Sequence, residues 1–226
     1  MWIGLVGSEM CIRDRYWLWS TGFDFGYKTK PPLTSWIIGL SHGLFGHHEW
    51  AVRLPAPWLH LATSLVLWRA ADWLAGPAAG WIAAIIWMTL PSIALGSFVI
   101  STDTPLLLCW SAGVLALVGV LTGRLRERRG MLLAGGAFGA AMLAKYAAIY
   151  GLAGLALFVL ATSVLSRDTE RQKVIGWRGL GLFALGMVVV ASPNILWNLA
   201  NELTTVRHLG DNANLKMRSY SLAGSI

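Results

Sequence analysis

Charge is scarce in this chain. Asp, Glu, Lys and Arg make up 13% of its 226 residues, about half the share of a typical soluble domain, which argues against the soluble globular class. Cysteine is scarcer still. Cys11 and Cys109 stand far apart, and two distant thiols make no disulfide framework. Internal repeats are missing, whereas secondary transporters are commonly built from repeats with polar groups near the bilayer midplane. The net charge of +7 does not point to nucleic acid. Its basic residues lie in short stretches between apolar runs, where membrane-orientation signals belong. His47 and His48 are adjacent, but no further His or Cys at ligand spacing supports a zinc site. No metal or cofactor is expected.

What the chain has in plenty is apolar sequence: 56% hydrophobic residues and 13 Trp, with a mean hydropathy of +0.58. Its long runs suit a hydrocarbon core about 30 Å thick. The class is an all-α, polytopic transmembrane helical protein. A short helix is predicted from Pro32 to about Phe45, lying at the membrane interface with Trp36 as its anchor. Six spans are predicted after it: Trp50 to Trp68, Ala78 to Phe98 broken at Pro91, Thr104 to Leu121, a hairpin from Met131 to Leu165 turning at Lys145-Tyr146, and Leu180 to Trp197.

The two ends read differently. "VGSEMCIRDR" has no helical period and no signal-peptide layout, and it is similar to the translation of a sequencing adapter. Residues 1–15 are therefore expected to be foreign to the fold, and "SLAGSI" is expected to be a cut end.

Loop charge sets orientation. "GRLRERRG" carries Arg124, Arg126, Arg128 and Arg129, and "SRDTERQKVIGWRG" carries Arg167, Arg171, Lys173 and Arg178. The positive-inside rule predicts that both are cytoplasmic. Alternating spans then collect the opening stretch "TGFDFGYKTKPPLTSW", Ser101-Thr102-Asp103, Lys145-Tyr146 and the polar C-terminal segment on the opposite face. In the opening stretch Pro31-Pro32 holds Lys30 extended near headgroup depth. A cation fixed there beside Tyr27 suits a membrane-anchored phosphate; a plain snorkelling lysine is the alternative.

The residue pattern adds a resemblance. "YWLWSTGFDFGYKTKPPLTSWIIGLSHGLFGHHEWAVRLPA" resembles the first extracytoplasmic loop of the family 39-like glycosyltransferases. These are GT-C fold enzymes related to the protein mannosyltransferases and the lipid A aminoarabinose transferases. "STDTPLLLCW", "LAKYAAIYG" and "SPNILWNLANELTTVRHLGDNANL" resemble later segments in the same order. The resemblance implies residues 16–215 as the N-terminal part of a GT-C transmembrane domain, with 216–226 a truncated end. It implies sugar transfer from a polyprenyl-phosphate carrier to an acceptor, with membrane lipid as a partner, on the extracytoplasmic face of the bacterial inner membrane. The sugar and the acceptor stay open.

That chemistry needs a carboxylate base for the acceptor hydroxyl and cations for the departing phosphate. The resemblance implies an acidic pair at about Ile12 and Arg13, where none stands. The chain as written is therefore expected to be inactive. Asp103 matches the family's second acidic position and is the catalytic candidate, with helix N-capping as its alternative. Lys30 matches the lysine close to the carrier phosphate. Lys145, beside Tyr146, is a second cation candidate or a snorkelling lysine. Arg207 and His208 are phosphate-pairing candidates or parts of a solvated loop. Asp24 is expected to form a turn before Phe25-Gly26. The rival reading is a polytopic transporter fragment.

Overall fold

The computed structural model describes residues 18–20, 22–27, 30–165 and 175–201. Among them every regular element is a helix. The helices are α1 (Leu33–Phe45), α2 (Glu49–Arg53), α3 (Pro55–Ala75), α4 (Pro77–Thr89), α5 (Pro91–Gly96), α6 (Asp103–Leu121), α7 (Glu127–Ala144), α8 (Ile149–Leu165) and α9 (Trp177–Ala200). Proline places several boundaries. Pro55 and Pro77 sit in first turns, where a missing N–H costs nothing. Leu90 is extended (φ −61°, ψ 125°) ahead of Pro91, as steric conflict with a proline ring requires. The span expected over 78–98 is thus broken where predicted.

Two expected boundaries move. The first span begins at Pro55 rather than Trp50, because Glu49–Arg53 forms the separate helix α2 and Pro55 lacks the N–H to continue it. The last helix starts at Trp177 and runs through Pro193 to Ala200. Pro193 cannot donate to the Val189 carbonyl, but the Ser192 hydroxyl does, at 2.8 Å, which is how a spanning helix tolerates a proline. Of the six expected spans, three are apolar and at least 18 residues long: Asp103–Leu121, Tyr146–Val164 and Trp177–Ala200. The others depart from that measure for separate reasons. α3 carries the Arg69–Asp72 pair (2.8 Å), α7 opens on Glu127, Arg128 and Arg129, and α4 ends at the Pro91 break.

The turn expected at Lys145-Tyr146 is present. Lys145 is extended (φ −157°, ψ 129°), and a single 3-10 turn, Tyr146–Ala148, leads into α8. α6, α7 and α9 form the heart of the bundle around Met131, Phe138, Phe183 and Met187, with Leu155 and Val159 of α8 against them. α7 and α9 approach closely through glycine: a Cβ on Gly186 would lie 2.6 Å from the Leu132 carbonyl oxygen, and one on Gly135 would strike the Phe183 carbonyl. In lipid, where apolar burial drives little association, such backbone proximity supplies the packing. A second cluster, Ile38, Val52, Ala56 and Ile100, packs under α1.

The helix directions bring chosen groups to one end. α6 starts where α7 finishes, and α9 finishes there too. The arginine-rich turn at Gly123 (φ 71°) lies at the other end, where the Arg124 guanidinium stands 5.6 Å over the Trp73 ring.

Candidate functional site

The loop 22–27 is held by its own aromatic rings. Tyr27 stacks on Trp19 (5.0 Å between centroids, 11° between planes), and its hydroxyl bonds the Trp19 and Gly22 carbonyls at 2.7 and 2.9 Å. Burial pushes the Tyr27 pKa above its ordinary value, since an apolar setting disfavours the phenolate. Trp36 also serves the loop. It stacks on Phe23 at 5.2 Å and its indole N–H donates to the Asp24 carbonyl at 2.8 Å. Half-buried in this way, Trp36 is tied to the loop. Asp24 caps its own turn, its carboxylate accepting the Phe25 N–H at 2.7 Å.

So braced, the loop docks on the far end of α9. The Asn194 amide N–H donates to the Phe25 carbonyl at 2.8 Å. Gly26 lies flat on the Trp197 indole, where any Cβ would collide with the ring. Lys30 follows, exposed, with Pro31 and Pro32 buried behind it. Beside the loop a cavity of about 300 Å³ is walled by Phe23, Tyr27, Trp36 and Leu40, with Ser20 and Ser35 between them. It is uncharged, so its chemistry suits an apolar or neutral group better than a phosphate.

Asp103 and Lys145 meet across the bundle. The Lys145 ammonium stands 2.7 Å from the Asp103 carboxylate, with 42% and 53% of the two side chains exposed. At that exposure the pair is worth at most about 1 kcal/mol. The capping alternative for Asp103 does not hold. Asp103 is the first helical residue, not the N-cap, and its carboxylate takes the cation while its own N–H bonds the Ser101 hydroxyl at 3.2 Å.

Next to Lys145, the Tyr146 hydroxyl donates to Asn194 Oδ1 at 2.9 Å. Asn198 donates to the Tyr146 hydroxyl at 3.3 Å and to the Asn194 carbonyl at 3.0 Å. Asn194 and Asn198 are 4% and 6% exposed. Sequence reasoning did not single them out. The available signal was two amides four residues apart in an apolar helix, a costly choice unless they are paired. Tyr27 and Tyr146, read as substrate contacts, both spend their hydroxyls on the protein. Arg207 and His208 lie outside the described residues, as do Ile12, Arg13 and the polar C-terminal segment beyond Asn201; its first residues, Asn198 to Ala200, instead continue α9. Among the described residues no group of three His, Cys, Asp or Glu is arranged to hold a metal ion; His47 instead lies 4.6 Å from the His42 ring.

A bundle of apolar helices, three of them long enough to cross a membrane, bearing a carboxylate–ammonium pair and a docked aromatic loop at one end describes an integral membrane protein. The chain belongs to the GT-C glycosyltransferases: the model for dolichyl-phosphate-mannose–protein mannosyltransferases matches residues 29–197. It is also similar to lipid A galacturonosyltransferase RgtD of Rhizobium johnstonii, 37% identical over 202 residues, which is 87% of this chain and 40% of the relative. The chain thus spans about two fifths of that relative's length. No solved structure matches it.

Proposed function

We propose that this chain forms the N-terminal part of a membrane glycosyltransferase. The enzyme would move a sugar from a polyprenyl-phosphate carrier to an acceptor on the extracytoplasmic face, in a bacterial inner membrane. The observation that carries the reading is the exposed Lys145–Asp103 pair (2.7 Å) beside the docked loop 22–27, with the exposed Lys30 a few residues further along the chain. The carrier's phosphate competes for Lys145 and, with Lys30, forms charge-assisted bonds stronger than the existing ion pair. Asp103 is then released as a carboxylate base. The acceptor hydroxyl attacks the anomeric carbon and its proton passes to Asp103. The bond from the anomeric carbon to the phosphate oxygen breaks, and the electron pair leaves on the phosphate, where the two lysines stabilise it. Arg207 and His208 would complete the cation set. Tyr27 shapes the loop and Tyr146 holds the turn. The relative's name, which specifies lipid A, favours a lipid acceptor.

A chimaera tests this, with residues 29–197 replacing the matching segment of the Rhizobium enzyme and sugar transfer to lipid A as the readout. Transfer that Asp103→Asn abolishes supports the reading. Full transfer in Asp103→Asn contradicts it.

A further inference from the structure

We infer that Asn194 is a positioning residue that sets where Lys30 stands relative to Lys145, by clipping the first loop to the α7–α8 turn; the inference rests on the phosphate reading above. Its amide is used in both directions. The N–H side meets the Phe25 carbonyl at 2.8 Å, and the oxygen side takes the Tyr146 hydroxyl at 2.9 Å. A backbone carbonyl can only accept, so the NH₂ must face the loop and the oxygen must face Tyr146. The orientation of this amide is therefore dictated by its partners.

The donors run one way, from the Asn198 amide to the Tyr146 hydroxyl (3.3 Å), from there to Asn194, and from Asn194 to the loop. Each end of the clip sits within a few residues of a candidate cation: Phe25 precedes Lys30, and Tyr146 follows Lys145. Asn194 itself is 4% exposed, so an amide group left without its partner there would be costly. The side chain must be short and must both donate and accept. Asp lacks the donor for Phe25, and Leu lacks both functions. The adjacent contact of Gly26 on the Trp197 ring holds the same loop against the same helix, so loss of the amide frees the loop's angle without releasing it entirely.

Two measurements on the whole chain in phosphatidylcholine nanodiscs test this, in a Cys11→Ser/Cys109→Ser background. The first is the spin–spin distance between labels at Gly22→Cys on the loop and Tyr150→Cys on α8. A narrow distribution is expected. It should broaden clearly in Asn194→Leu and less in Tyr146→Phe, with helix content by circular dichroism unchanged. Tyr146→Phe keeps the ring, so it reports even where Asn194→Leu fails to fold. An unchanged distribution in both variants overturns the inference.

The second is binding of polyprenyl phosphate. Asn194→Leu and Lys30→Ala should each weaken it, by roughly tenfold for loss of one charge-assisted bond. The double variant should bind no more weakly than Lys30→Ala, because Asn194 acts through that lysine. Losses that multiply instead overturn the inference. If Lys30→Ala binds as the wild type does, the phosphate reading fails, while the distance measurement still decides the clip.

Discussion

The two ends of α6, α7 and α9 both carry charge and treat it in opposite ways. At the α6–α7 turn, Arg124, Arg126, Arg128 and Arg129 stand in a short, mostly exposed segment and form no ion pair among the described residues. At the other end Asp103 and Lys145 reach across 42 residues of sequence to pair at 2.7 Å, and the amides of Asn194 and Asn198 are buried beside them. Charges that serve to orient a chain need only water and headgroups, and beyond the Arg124–Trp73 contact these have no charged partner among the described residues. Groups that act together must be held, and holding them takes packed helices and hydrogen-bonded amides. The contrast is why the proposed chemistry is assigned to the paired end.

The largest effect that would sharpen this contrast is on turnover. Asp103→Asn in the chimaera should reduce transfer by about a hundred- to ten-thousandfold, the usual loss on removing a general base, whereas Arg126→Gln at the other end should change it little. Rates measured at saturating acceptor separate the two. The next effect is on binding. Lys145→Ala should weaken polyprenyl phosphate binding by roughly tenfold, measured by titration in nanodiscs, while Arg128→Ala should leave it alone.

Packing gives a third contrast. Gly186→Val forces a branched side chain into a gap where even a Cβ would lie 2.6 Å from the Leu132 carbonyl. It should cost about 1–3 kcal/mol in denaturant unfolding. Gly181→Ala, in open space on the same helix, should stay within about 0.5 kcal/mol.

The smallest effect is alkaline. The folded pKa of Tyr27 is raised by burial, so the stabilisation held by its neutral hydroxyl is fully present below the ordinary tyrosine pKa of about 10. It is lost as pH rises through the higher folded value. Loop docking should weaken above about pH 10 in the wild type, measured by the same spin-label distance, and Tyr27→Phe should lose that step.

Much of the fold could be read locally, because proline and interrupted apolarity are local signals. The break at Pro91 follows from one ring, and the turn at Lys145 from a charged residue inside a long apolar run. The start of α3 was missed by a few residues because Trp50 to Trp68 is mostly apolar, and only Pro55 marks where one helix gives way to another. The site was legible as residue types and hidden as partnerships. Asp103 before Thr104-Pro105 looks like helix-start chemistry in sequence, and nothing local says that its carboxylate is met by Lys145. Asn194 and Asn198 were overlooked because their value lies in partners from the first loop and the α7–α8 turn.

The central claim is that Lys30, Asp103 and Lys145 share the extracytoplasmic face, opposite the arginine turn. Cysteine labelling in intact cells with a membrane-impermeant maleimide tests it most directly, using Thr29→Cys and Arg126→Cys separately in the Cys11→Ser/Cys109→Ser background. Labelling of Thr29→Cys alone, with Arg126→Cys reacting only after permeabilisation, is the predicted result; labelling of Arg126→Cys but not Thr29→Cys in intact cells would contradict the account.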